Sequence, residues 1–578
     1  MHFFSIKKYI LHKTNVMSTE KVFMKFFLLG IFGITALFTA CSQTASSSID
    51  NVEEDVSAIS SSSKKINSSS SKNSEKKSSS SVEKLADSSS SNNSDDEKFS
   101  SSSVAEELDE DCVGEPGNPW DGTTAKNFAC GAGTKKSPYI ILTAEQLAHL
   151  SFVINASDKD YKGKYFKLGA DIKLNKGDII DEKGSLVGDS TRLHKWTPIG
   201  NSSVAFDGFF DGDGHIVSGM FVNTTSSHNG LFGQSSGTVE NLTVGNSWVY
   251  GGKYSAGVIG RSIGSVLNVK NLASVSGKEE CVGGVIGSSY QKDYKTSSIV
   301  KNVFNGGIVV GDKNVGGVAG CATFVTIDNA ENIAPIEGFA YVGGVFGGIG
   351  SSSKNDVKNL KNNGNVTGKH FVGGISGHCG GSLILNSTAL NKSSSYSCYD
   401  FNACGKFQNA YNDGSISGLR YVGGIIGEVC YGTIENLANI GNVSGEGGTG
   451  GIVSSMSYTT SKSLYNTGDV FGLTYVGGIA GYNQEGVTSS AYSTGKVDGD
   501  SLVGLMIGYN YNTTMADYYY LEQGEQEPFG LNNGGGVATP KSADEMKSDK
   551  FAELLGDEFV YDSGLNNGYP ILSWEMNE

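Results

Sequence analysis

Three carboxylates and an imidazole fall in one short stretch: Asp207, Asp211, Asp213 and His215. Two carboxyl groups roughly 5–9 Å apart can cleave a glycosidic bond, one as acid and one as base or nucleophile. Side-chain alternation along a strand would bring Asp211 and Asp213 to one face at such a distance. The same oxygens are candidate cation ligands, although Ca2+ takes about six to eight oxygens and the cluster supplies few. The plainer reading is a glycine–aspartate turn, because Gly208, Gly212 and Gly214 interleave the acids.

Other catalytic signatures are missing. No histidine is followed by glutamate, so the His-Glu-x-x-His zinc helix does not occur. His378 and Cys379 have no partners at zinc spacing, and there is no Cys-x-x-Cys. No Gly-x-Ser-x-Gly elbow sits on a strand-to-helix turn, and no phosphate-binding Gly-x-x-x-x-Gly-Lys-Ser/Thr loop occurs. Neither a cofactor nor a metal is expected. A binding signal comes from Tyr254, Tyr341, Phe371, Tyr421 and Tyr475, each two residues before the first position of a recurring glycine pair, which Ala256 occupies after Tyr254. Cys281, Asn314 and Gly448 interrupt the series. Facing outward, the rings would form a broken stripe for a sugar or a protein partner. Stacked along the molecule, they would serve only the fold.

The elements that position these residues are repeats. Gly230, Gly257 and Gly284 mark a unit of 27 residues, repeated through Gly317, Gly344, Gly374, Gly424, Gly451, Gly478 and Leu505. Three units carry insertions, the largest reaching from about Lys392 to Lys406. Asparagine recurs twelve residues before the aligned glycine at Asn305, Asn332, Asn362, Asn412, Asn439 and Asn466. Val285, Val318, Val345, Ile375, Ile425, Ile452 and Ile479 follow the glycine pairs. So short a unit cannot bury a core alone, and β-branched residues between glycines disfavour helix. Three short strands per turn, stacked on the next turn, resolve both constraints. The expected fold is all-β: a right-handed parallel β-helix of about ten coils, on the order of 50 Å long. Stacked asparagine amides would hydrogen-bond along the rod, and asparagine tolerates left-handed corners.

The unit Tyr421-Val422-Gly423-Gly424-Ile425-Ile426-Gly427 and its copies resemble the Glug motif of bacterial surface proteins. That motif also occurs in the non-catalytic region of IgA-cleaving metallopeptidases. The stretch from Thr134 through Leu147, with Trp196-Thr197-Pro198-Ile199-Gly200, looks like the usual opening segment. Asn567-Gly568-Tyr569-Pro570 onward looks like the usual close. The resemblance implies a repeat architecture without the peptidase centre, and fold by itself carries no activity. Two helices are expected as covers for the ends of the stack. One starts at Thr143 with Gln146 as a capping-box pair; the other runs from Ser542 to Leu555, with Glu545 in that role. The second helix is expected to close the C-terminal end.

Composition and the N-terminal segment set the address. Eighty glycines against eight prolines, without a three-residue period, exclude collagen and suit strands joined by tight corners. A net charge of −16 and only three arginines, Arg192, Arg261 and Arg420, argue against nucleic acid. Lys7, Lys8, Lys21 and Lys25 precede an apolar run over residues 26–38, as in a secretory signal. Leu37-Phe38-Thr39-Ala40-Cys41 resembles a lipobox, which implies diacylation of Cys41 and an outer-membrane lipoprotein of a Gram-negative bacterium. Residues 42–111 are serine runs with few apolar side chains, a flexible tether of roughly 45 Å reach. The expected division is therefore 1–41 signal, 42–111 linker, 112–229 opening region, 230–530 repeats and 531–578 C-terminal cap.

Eight cysteines remain beside Cys41, in a compartment that permits disulfides. Cys112 with Cys130, and Cys398 with Cys404, are close enough in sequence to be candidate pairs. Cys379 and Cys430 hold nearly the same place in successive repeats, and spacing leaves the pairing open. The functional expectation is a monomeric, non-enzymatic surface protein for adhesion or envelope architecture. Its partners would be the membrane, through the lipid, and a polysaccharide or surface protein. The rival is a polysaccharide-cleaving β-helix enzyme using Asp207, Asp211 and Asp213.

Overall fold

Each 27-residue unit folds as one coil of a parallel β-solenoid. A computed structural model describes residues 112–290, 298–350, 352, 354–380 and 403–577, all within the unit Ser103–Glu578. Cys41, the signal, the tether and Cys398 lie outside the described residues.

One coil consists of Ala340–Gly343, Phe346–Ile349, Asp356–Asn362 and Val366–Thr367. That makes four short strands where three were expected. The glycine pair splits one expected strand in two, because the chain turns a corner there against the next coil. A Cβ on Gly424 would lie 2.0 Å from the Gly451 carbonyl oxygen, so only glycine fits. Successive coils pair in register: Val342 opposite Val372 and Val372 opposite Val422. The column from Tyr139–Ile141 to Ala538–Lys541 climbs about 13 turns. The count exceeds ten because the opening region already coils. Phe166, Phe206, Phe210 and Phe232 fill there the space that Val and Ile fill later.

The interior is a continuous core of stacked aliphatic columns. Val285, Val318, Val345, Ile375, Ile425, Ile452 and Ile479 are fully buried, and each contributes about 1.5–3 kcal/mol relative to exposure. Beside them runs a buried amide ladder. Asn271 donates from Nδ2 to Asn305 Oδ1 at 2.8 Å, and the pattern continues through Asn332, Asn362, Asn412, Asn439 and Asn466 at 2.7–2.8 Å. The left-handed conformation belongs instead to a second set three residues earlier: Asn302, Asn329, Asn359, Asn409 and Asn436.

Helix placement agrees with expectation at the N-terminal end and departs from it at the C-terminal end. Helix α1 (Ala144–Asn155) has the Thr143–Gln146 capping box and seats Leu147, Leu150 and Val153 in the main core at the first coils. The expected C-terminal helix is two: α2 (Ala543–Met546) and α3 (Asp549–Leu555), broken because Ser548 caps the second by accepting from Phe551 N. They do not close the end. Met546, Phe551 and Leu555 pack on the flank of the stack, against Ala438, Tyr465, Tyr492 and Tyr519 of four successive coils.

Disulfides join Cys112 to Cys130, Cys281 to Cys321 and Cys379 to Cys404. The first matches its candidate pair. The second candidate is corrected, since Cys404 bonds Cys379 rather than Cys398. Cys379 ends the strand Ser376–Cys379 and Cys404 directly precedes the strand Gly405–Asn412, so their bond joins the chain on either side of residues 380–403. Cys430 is also disulfide-bonded.

Candidate functional site

The aspartate cluster is built on the strand Phe209–Asp211 and the turn after it. Asp213 lies past the strand in the left-handed region at φ 50°, so strand alternation does not pair it with Asp211. Each acid has its own partner. Asp207 accepts from Gly163 N at 3.2 Å and sits 3.9 Å from Lys162 Nζ. Asp213 faces Lys167 at 3.2 Å. Asp211 accepts from Asp213 N and from Asn241 Nδ2, each at 2.9 Å. His215 Nδ1 lies 3.1 Å from Asp171 Oδ1. Among the described residues, no three His, Cys, Asp or Glu side chains converge as a metal site. The three aspartates therefore do not form the cation cluster their spacing suggested.

A neighbour that the sequence reading missed is Glu240, in register with Asp211 on the next coil. Burial holds its carboxyl above the usual range, the Asp211 charge adds to this, and Lys135 offsets part of it. The in-register pair is thus Asp211 with Glu240. A separation of 29 residues hid it, and only the coil register reveals it.

Asp211 also starts an outer amide ladder. Asn241 donates to it, Asn268 to Asn241 at 2.9 Å, Asn302 to Asn268 at 2.8 Å and Asn329 to Asn302 at 3.1 Å. After a step through Asp328, Asn409 donates to Asn359 and Asn436 to Asn409. Its sequence signal was present: these asparagines precede the inner ones by three.

The aromatic stripe is largely internal. Tyr341 and Phe371 stack with centroids 4.8 Å apart, Phe371 and Tyr421 at 4.7 Å with planes 1° apart. Tyr341 and Phe371 are buried. Tyr254 stands apart, beside His228 and under Lys253 and Arg261. Under the middle of the stripe lies a buried pair, His378 Nδ1 and Glu428 Oε2 at 3.2 Å, with ring contacts from Tyr341 and Phe371 to the imidazole. The contact is at ion-pair distance without hydrogen-bond alignment.

Only the C-terminal end of the stripe is open. Tyr475 is 39% exposed and meets Tyr509 edge-on at 6.2 Å. Tyr482 stacks on Tyr509 at 5.2 Å, and Tyr511 lies beside Tyr509 at 6.4 Å. Tyr482 donates to Gln484 Oε1 at 2.9 Å, and Asn533 Nδ2 donates to Tyr509 Oη at 3.4 Å. Burial, then the phenols of Tyr509, Tyr475 and Tyr511, raise the Tyr482 pKa above its ordinary value, so the phenol remains a neutral donor at physiological pH.

With this geometry in hand, comparison with known proteins places the chain only loosely. No family model matches it. Halomucin of Haloquadratum walsbyi is 32% identical over 184 residues, 31% of this chain and 2% of halomucin. A protein provisionally named a Gly-rich membrane protein, from Evansella cellulosilytica, is 35% identical over 125 residues, 21% of this chain and 12% of the relative. The chain thus spans a small fraction of either relative's length. A crystal structure provisionally described as an immunoglobulin A1 protease from Bacteroides ovatus is 20% identical, with a TM-score of 0.26, covering 77% of this chain and 95% of that one.

Proposed function

We propose that the chain is a non-enzymatic surface protein whose solenoid presents a repetitive face for adhesion or envelope architecture. It is read as a Glug-like repeat rod, held by acylated Cys41 on the tether of residues 42–111, facing outward from a Gram-negative outer membrane. The observation that carries this is the fate of Asp211: it serves as the first rung of an amide ladder that runs along the outside of the rod. The groups that repeat most regularly are spent on one another, which makes a rigid, regular surface. The names carried by the two sequence relatives, a mucin-like name and a membrane protein, suit the same reading.

A second reading rests on one observation, the raised proton affinity of Glu240 beside Asp211. Two carboxyl groups in register on neighbouring coils, one of them with its proton affinity raised by burial, are an arrangement from which glycoside hydrolysis can start. Incubating the purified chain with plant and mucosal polysaccharides separates the two. Retention of the chain on a polysaccharide with no release of sugar supports the binding rod. Turnover abolished by Asp211→Asn and by Glu240→Gln would establish the enzyme instead.

A further inference from the structure

The column that carries His378 and Glu428 in mid-rod changes character at the C-terminal end. Successive in-register residues are Ser455, Tyr482, Tyr509 and Leu531 in one column. Two positions along each strand, the parallel column runs Ser457, Gln484, Tyr511 and Asn533. Ser455 and Ser457 are buried, whereas Tyr511 and Leu531 are each 41% exposed. The result is a small lattice, two columns wide and three coils deep, of three phenol rings, two amides and Leu531. Tyr475 borders it from the adjacent strand.

We infer that Tyr475, Tyr482, Tyr509 and Tyr511, with Gln484 and Asn533, form a binding site for a neutral polysaccharide. Three features of the patch select that ligand. Tyrosine offers an apolar ring and a polar tip, which match the C–H face and the hydroxyl rim of a pyranose. Gln484 and Asn533 each bring an amide beside a phenol, donors and acceptors together, as a sugar diol requires. Tyr482 and Tyr509 stack at 5.2 Å with planes 15° apart, the rise of one coil, so they cover each other's faces and present ring edges and hydroxyls at one-coil steps. Consecutive coils can therefore address consecutive sugars.

Charge decides against acidic glycans. Glu485 adjoins Gln484, whose amide donates to it at 3.3 Å, and the whole chain carries −16. No lysine or arginine is among the residues of the lattice, so an anionic chain would meet repulsion without a compensating partner. The site takes its place in the binding-rod reading and depends on it only for how the ligand is met at the cell surface.

The test is an array of neutral polysaccharides (cellulose, xylan, mannan and chitin oligomers) beside pectate and hyaluronan, probed with the purified full chain. Binding to at least one neutral polysaccharide is expected, weakened tenfold or more by Tyr475→Ala/Tyr511→Ala. These rings are about two-fifths exposed, and unchanged circular dichroism and melting will show that the fold persists. Gln484→Ala/Asn533→Ala, which removes only amides, is expected to weaken the same binding. Phe152→Ala, at a 65% exposed ring on α1, should leave it unaltered. Neutral-glycan binding that survives both double substitutions would overturn the assignment, as would binding confined to the anionic polymers. No glycan binding at all also overturns it; if the chain is still displayed on intact cells, the surface reading stands without this site.

Discussion

Asn362 donates a 2.7 Å hydrogen bond to Asn412 although 50 residues separate them and the largest insertion lies between. The ladder thus keeps its step across a segment nearly twice the length of a repeat. Each amide serves two coils, since Asn362 Nδ2 also donates to Gly364 O at 2.8 Å and Asn412 Nδ2 to Gly414 O at 2.8 Å. Removing one side chain leaves neighbouring polar atoms buried without a partner, at about 1–3 kcal/mol each.

Asn412→Ala is therefore expected to destabilise the solenoid by about 2–4 kcal/mol. Substituting Asn409→Ala on the outer ladder, where water can replace the lost bond, should cost below about 1 kcal/mol. Denaturant melts of the two variants check the contrast, and equal losses would show that the inner ladder has no special weight.

The bond between Cys379 and Cys404 closes a 25-residue separation. Cys379→Ser/Cys404→Ser is expected to lower stability by about 3 kcal/mol through the freed unfolded chain. Mass spectrometry of non-reduced peptides should recover the 379–404 link, and a 398–404 link would contradict the register of these coils.

His378 and Glu428 face each other with side chains 7% and 8% exposed. Removing one member of a buried pair strands the other, typically costing about 3–5 kcal/mol. Glu428→Ala should thus melt far below the wild type, while His378→Leu/Glu428→Leu recovers much of the loss. A double variant no better than the single one would mean that packing, not the pair, sets the cost.

The C-terminal flank predicts alkaline sensitivity. Tyr465 donates to Glu575 Oε2 at 2.9 Å, and burial followed by the Glu575 charge raises its phenol well above 10. Tyr492 is raised too, first by burial and then by Glu575, and burial pushes Tyr518 up to about 12. For a raised folded-state pKa, the native state holds more protons than the unfolded state above pH 10. Stability is then full below about pH 10 and falls as pH rises further. Thermal melts should decline steeply above that pH, and Tyr465→Phe/Tyr492→Phe should flatten the decline, with no effect of pH between 7 and 9.

The solenoid was legible because its causes are local and repeat: a glycine pair, an aliphatic residue and an asparagine at fixed offsets. The fourth strand was not, because the split at Gly343–Gly344 depends on the carbonyl of the next coil. Ring orientation, which the sequence left open, is settled by the same coil-to-coil stacking. Tyr341, Phe371 and Tyr421 occupy equivalent places in successive coils, so in a parallel stack each ring covers its neighbour. Tyr482 and Tyr509 lie one repeat apart, but only two copies occur, in a column that carries His378, Glu428 and Ser455 in earlier coils, so they did not stand out as a stripe. Asp213 resembled a strand partner of Asp211 until the turn at Gly212 took it out of line. Tyr465, Tyr492 and Tyr519 recur at 27-residue intervals, a visible sign of a covered flank, but what covers them comes from residues 543–572 and could not be paired by spacing.

Surface display is the claim on which the account turns. Antibodies raised against residues 112–577 should be applied to intact cells and to permeabilised cells, with wild-type chain and Cys41→Ala. Strong labelling of intact wild-type cells, lost from the surface in the Cys41→Ala strain, is the predicted result. Labelling only after permeabilisation would contradict the account, placing the rod on the inner side of the envelope, where it could not meet an external partner.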